Sequence, residues 1–236
     1  MKKMNYQNLI LVMLVLFFST VINAQEEKEI NVGSFNEVRF EGSAQWVLVP
    51  ADVEKVVIVS QSEDVFDYIE VDQSSGTLTI STTDKNKNIT KLFKSVTIKV
   101  YFKSIHSVYL SGVGSVSAEN KITAERLTAT LRGTGDMNIN VKCSEFIGNM
   151  YGTGGLKVNG KTEKGLVRVE GVGGFDGYEL ECTDMDVTVS GVGGAKVWAT
   201  EKITATLNGV GSIKYKGDPK TKNLNTNGIG NIKKVD

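Results

Sequence analysis

Ser111-Gly112-Val113-Gly114-Ser115-Val116 returns six times down the chain: RGTGDM at 132–137, YGTGGL at 151–156, EGVGGF at 170–175, SGVGGA at 190–195, NGVGSI at 208–213 and NGIGNI at 227–232. The first glycines are Gly112, Gly133, Gly152, Gly171, Gly191, Gly209 and Gly228, so the steps are 21, 19, 19, 20, 18 and 19 residues. The second glycines are Gly114, Gly135, Gly154, Gly173, Gly193, Gly211 and Gly230. A near-constant step of this length marks stacked coils, each one supersecondary unit unable to bury its apolar face alone.

The residues around the motif alternate. Two before the first glycine stand Leu110, Leu131, Met150, Val169, Val189, Leu207 and Thr226. Four after it stand Val116, Met137, Leu156, Phe175, Ala195, Ile213 and Ile232. Even offsets are almost all apolar and point inward; odd offsets, such as Tyr109, Thr130, Asn149 and Arg168 three before the glycine, point outward. The glycines fall on the inward parity, which would let the wall bend or approach the opposite wall. Between them Val113, Thr134, Thr153, Val172, Val192, Val210 and Ile229 form a wholly β-branched column. The pattern predicts an all-β fold: a single-stranded parallel β-helix-like stack of about seven coils of 18–21 residues, right-handed by the usual crossover preference.

Upstream, residues 25–103 read as a β-rich cap continuous with the stack, and 104–236 as the repeat domain. Residues 25–34 read as a loose polar lead-in. Phe35–Val49 reads as strand, turn, strand, with Gly42-Ser43-Ala44 a worn copy of the motif. Glu63–Tyr68 suits one helical turn, residues 69–80 a hairpin, and Thr82–Lys91 a polar loop. The stack needs its ends covered; the cap serves one end, and Lys233 and Lys234 protect the other.

Residues 1–24 read as a signal peptide: Lys2 and Lys3, then an apolar run of ten from Leu9 to Phe18, then a small-residue cleavage region ending at Ala24. No later run has membrane length. This predicts an exported protein of the periplasm, the outer surface or the medium, with 25 basic and 27 acidic residues once Lys2 and Lys3 are removed. That balance gives no basic footprint for nucleic acid.

The spaced Gly-x-Gly copies, the export signal and the alternating lead-in resemble the head GIN-domain family of auto-transporter adhesins, over residues 35–232. The resemblance implies a secreted or cell-envelope β-helix-like domain with an adhesive role and supplies no catalytic motif. The four residues after Ile232 leave no room for the membrane barrel of a true auto-transporter.

No catalytic, metal or cofactor site is expected. The single histidine, His106, shares the inward column of Leu127, Phe146, Met185 and Ile203 and reads as a packing or capping residue. Cys143 and Cys182 sit two coils apart with Thr162 in the slot between; two coil steps are about 9.6 Å, beyond the ~7 Å Cα limit of a disulfide, so both read as free thiols. Gly133-Thr134-Gly135-Asp136 echoes calcium-binding rolls, but the other copies lack the carboxylate. Asp136, Glu170, Asp176 and Arg168 read as solvated surface.

One surface invites a ligand. Seven after the first glycine stand Asn140, Asn159, Tyr178 and Trp198, where amides beside aromatic faces would hold a sugar. Counted back from the next glycine, Trp198 instead joins Ile122, Val141 and Leu180. The functional expectation is a non-enzymatic, adhesin-like protein binding a cell-surface glycan or another envelope component. The alternatives are a polysaccharide-acting β-helix enzyme, favoured by a convergent acidic groove, and an envelope lipid-binding or scaffold protein.

Overall fold

A computed structural model describes residues 25–83, Phe93 and 95–235. The stretch read as a signal peptide, and the polar loop beyond Thr83, lie outside these residues. In chain order the first strands are β1 (Glu26–Asn31), β2 (Glu37–Glu41), β3 (Ser43–Pro50) and β4 (Lys55–Ser60), followed by a 3₁₀ turn at Glu63–Tyr68. Then come β5 (Ile69–Ser74), β6 (Thr77–Thr82), β7 (Thr97–Phe102), β8 (Ser107–Leu110), β9 (Val113–Ala118) and β10 (Ile122–Leu131). The long strands are β11 (Thr134–Met150), β12 (Thr153–Val169), β13 (Val172–Val189) and β14 (Val192–Leu207). Last are β15 (Val210–Lys216), β16 (Thr221–Thr226) and β17 (Ile229–Lys234).

The molecule is an all-β solenoid of about seven turns, as the spacing predicts. From β8 and β9 onward every pairing is parallel and joins one coil to the next. Leu110, Leu131, Met150, Val169, Val189, Leu207 and Thr226 stack in register as one file. All but Thr226 are buried. A coil of nineteen residues is odd, so strict alternation would turn every second coil inside out. The chain corrects this at a corner: Cys143 and Phe146 are both buried, with exposed Ser144 and half-buried Glu145 between them.

The glycine pairs have a different cause from the expected one. The crowding comes from the coil beneath and not from the opposite wall. A Cβ at Gly154 would lie 1.9 Å from the Gly135 carbonyl oxygen, and Gly154 has φ +135°. Only glycine fits both the contact and the left-handed backbone. The bond between coils runs through the same carbonyls, as in Thr153 N–H donating to Gly133 O at 3.0 Å.

Gly42-Ser43-Ala44 is a true copy: Ser43 and Ala44 pair with Val113 and Gly114. Stacking order differs from chain order here. The β2–β3 coil lies between the β6–β7 coil and the β8–β9 coil. Beyond β7 the sheet continues antiparallel through β4 to β1, and beyond β6 through the β5 hairpin. Val65 of the 3₁₀ turn is fully buried. Residues 26–31 are therefore an edge strand, not a loose lead-in; half-buried Ile30 pairs with Val56, and the pairing is a backbone one that polar side chains do not prevent.

Candidate functional site

The outer face of the coils can be read column by column from the glycine edge. The β-branched column stands out in solvent as a ridge. Five of the seven large apolar side chains exposed among the described residues belong to it: Val113, Val172, Val192, Val210 and Ile229, from 47% to 74% exposed. Thr134 and Thr153 complete it and are also exposed. A continuous exposed apolar line is the kind of feature that marks an interaction surface.

Bare backbone flanks the ridge on both sides, so it stands between two troughs. The first has Gly133, Gly152, Gly171 and Gly191 as its floor and encloses about 390 Å³. Its far wall is Arg132, Tyr151 and Glu170, with the Arg132 guanidinium 4.6 Å from the Tyr151 ring centre. The second, about 340 Å³, has Gly155, Gly174, Gly194 and Ser212 as its floor and Asp176, Lys196 and Lys214 as its far wall. The first trough thus has the ridge as an aliphatic side and a polar side opposite; in the second the apolar lining is Phe175 and Ala195.

The next columns out carry the predicted residues. Asn138, Lys157, Asp176, Lys196, Lys214 and Lys233 form a registered charged ladder. Beyond it Asn140 pairs in register with Asn159. The structure does not continue that file to Trp198. Between Asp176 and Glu181 the coil bulges, so four residues of β13 face Val197 alone, and Tyr178 rides on the bulge. Trp198 pairs with Glu181 and Lys216, outward and half-buried: counting forward from the glycines finds Lys216 in the next coil, but neither count finds Glu181 in the coil before. The 20-residue step from Gly171 to Gly191 records a longer coil but not where in it the bulge re-aims the side chains.

Tyr178 and Trp198 are brought together through a cation. Lys216 Nζ lies 4.3 Å from the Trp198 ring centre and 6.0 Å from that of Tyr178. Lys196 Nζ lies 5.5 Å from the Tyr178 ring centre. Glu179 and Asp176 carboxylates each hold one of these ammonium groups at 3.5 Å. Burial, and then the Asp176 charge, raise the Tyr178 phenol above its ordinary value.

The remaining candidates are dispersed. His106 is exposed, its Nδ1 3.9 Å from a Glu37 oxygen. Ile105 is the buried residue at that corner, so the packing role read for His106 does not hold. Cys143, Thr162 and Cys182 form one registered column, and both thiols are free and buried. Burial dominates at both: the Cys143 thiol is raised, and that of Cys182 is pushed up to about 12. Among the described residues no three His, Cys, Asp or Glu side chains are grouped to hold a metal ion. No described helix is long and apolar enough to cross a membrane.

The ridge and the residues Arg132, Tyr151 and Glu170 escape a reading based on residue type. The available signal was position: they are outward residues beside a glycine, and a side chain next to bare backbone makes a trough.

The sequence model of one protein family, "Putative auto-transporter adhesin, head GIN domain", matches residues 34–219. A crystal structure of a "putative adhesin" from Bacteroides fragilis NCTC 9343 superposes with a TM-score of 0.84 at 27% identity, over 90% of this chain and 97% of that one. A "putative lipid binding protein" and a "putative adhesin", both from Parabacteroides distasonis ATCC 8503, each superpose with a TM-score of 0.67, at 20% and 18% identity. Both alignments cover 90% of this chain and 97% of the other, and they show the shared fold. No curated protein matches the chain.

Proposed function

The chain belongs to the head GIN domain family of auto-transporter adhesins, and from that membership we propose that it is a non-enzymatic protein of the bacterial cell envelope that holds a surface glycan along its Gly-x-Gly edge. The observation that carries this reading is the exposed ridge with a trough on either side. A sugar ring has aliphatic faces and a polar rim. In the first trough the faces would lie against Thr153, Val172 and Val192, while Arg132, Tyr151 and Glu170 bond the hydroxyls. Backbone exposed at the glycine floor lets the ring approach closely. Asn140, Asn159, Tyr178 and Trp198 extend the polar side of the second trough. An enzymatic reading would need a convergent pair of carboxylates with separated pKa values. Glu170 and Asp176 lie in different troughs; the groove that gathers Glu145, Asp184 and Asp186 interleaves them with Lys164 and Lys202, and Arg126 pairs with Glu145, which favours a salt-bridged wall over an acid–base pair.

A glycan array on the purified protein, with phospholipid vesicles as a parallel arm, tests the proposal. Binding to glycans, lost in Tyr151→Ala and Val172→Asp with the melting temperature unchanged, is the expected result. Binding to vesicles alone, or glycan binding that survives both substitutions, overturns it. Loss confined to Tyr178→Ala and Trp198→Ala moves the seat to the outer wall.

A further inference from the structure

The two ends of the stack carry opposite charge, and we infer from this that copies of the chain associate head to tail. At the leading end the outermost strands are β1 and β5, each paired on one side only among the described residues. They carry Glu26, Glu27, Glu29, Glu70 and Asp72 against Lys28, with Glu29 paired to Lys55 of β4. The 3₁₀ turn beside them adds Glu63, Asp64 and Asp67. At the trailing end the outermost strands are β16 and β17, which carry Lys222, Lys233 and Lys234 and no acid; Lys234 is held by Asp218 of the preceding loop, so Lys222 and Lys233 carry the contrast. By sequence, residues 84–94 add four lysines against Asp84, so the contrast belongs to the edge strands and not to the halves of the chain.

The last described coil also leaves apolar surface exposed. The interior file that runs through Val187 and Ala205 ends at Leu224, 40% exposed. The neighbouring file ends with Lys222 on Ile203. Every residue of β16 is exposed, and among the described residues its outer edge pairs with no other strand. Lysine on an edge strand ordinarily repels a like edge. Here it does so toward another trailing end and attracts the acidic leading end. Acid against acid equally blocks a leading-to-leading contact. The remaining pairing is heterologous: Leu224 and Ile232 of one copy are covered by the leading end of the next, and charge sets the direction. Each joined pair still has one free end of each kind, so the contact generates an open series and not a closed dimer.

Sedimentation velocity on protein purified from cells expressing the full chain tests this, across concentration and from low to high salt. The expected result is a concentration-dependent series of species that dissociates as salt rises. Lys222→Glu with Lys233→Glu, and separately Glu70→Lys with Asp72→Lys, should each weaken self-association about tenfold or more. Mixing the two variants should restore it, because each then meets an end of opposite sign. A monomer at every concentration in low salt overturns the inference, as does a closed dimer. Association unchanged by either pair of reversals, with both variants folded by circular dichroism, overturns it too.

Discussion

Gly133 rests on Gly112: a methyl group at Gly133 would lie 1.8 Å from the Gly112 carbonyl oxygen. The same contact recurs up the edge, with Gly152 on Gly133 and Gly228 on Gly209, each at 2.0 Å. The repeat in the sequence is thus the trace of a contact between identical atoms in successive coils.

Substitution should therefore divide the glycines sharply. Gly154→Ala puts its Cβ 1.9 Å from Gly135 O at φ +135°. The coil must separate from the one beneath, and a cost of about 3 kcal/mol or more is expected. Gly155→Ala meets only the Asp136 Oδ1 at 3.0 Å, the free end of an exposed side chain. Ser115 and Ser212 already occupy the same file, so a change within about 0.5 kcal/mol is expected. Urea unfolding of the two variants would check the contrast; equal losses would sink it.

How much of this was legible follows from the same contact. Glycine spacing, the Leu110–Thr226 file and the Cys143–Thr162–Cys182 column were readable because each coil repeats one register. The Tyr178 bulge was not, because the 20-residue step shows that this coil is longer but not where along it the register shifts. Nor was the edge strand at 26–31, whose polar side chains conceal a backbone pairing with β4. The ridge was half visible. Parity placed Val172 and Val192 outward, but their prominence comes from the bare glycines beside them. The trough residues Arg132, Tyr151 and Glu170 differ in type from coil to coil, so no motif announced them.

The ridge gives a second expectation. Val192 is 55% exposed and has little buried area to lose. Val192→Lys should leave the melting point within about 2 °C of the parent, as a surface change worth under 0.5 kcal/mol does. The same variant should lose ligand binding. A large drop in melting temperature would mean that the valine column supports the fold and is not free for a partner.

The thiols give a third. Thr162 separates Cys143 from Cys182 by a full coil, so mass after alkylation of the unreduced, denatured chain should show two labelled cysteines. In the native protein Cys182 should label slowly, because burial keeps its thiol protonated until about pH 12, against an ordinary 9.0. The linkage sign follows. Below pH 9 the thiol is neutral folded or unfolded. Between there and about 12 the unfolded chain releases its proton and the folded one does not, so stability falls as pH rises through that window. Cys182→Ala should flatten the alkaline part of a stability profile; an unchanged slope would place the thiol in contact with solvent.

Trp46 gives the last. Its ring is fully buried, stacked on Phe40 at 4.8 Å between centres, and its Nε1–H has no acceptor among the described residues. A buried donor without a partner costs about 1–3 kcal/mol. Replacing indole by phenyl removes that donor and leaves a small void, and the void costs about 1–3 kcal/mol at ordinary packing. The two effects oppose, so Trp46→Phe should lie within about 1 kcal/mol of the parent in urea unfolding. Trp46→Ala has no such compensation, since the void is far larger, and should cost about 3–5 kcal/mol. A Trp46→Phe loss approaching the alanine value would mean that the indole N–H is satisfied in solution, by a water or a neighbour that accepts its proton.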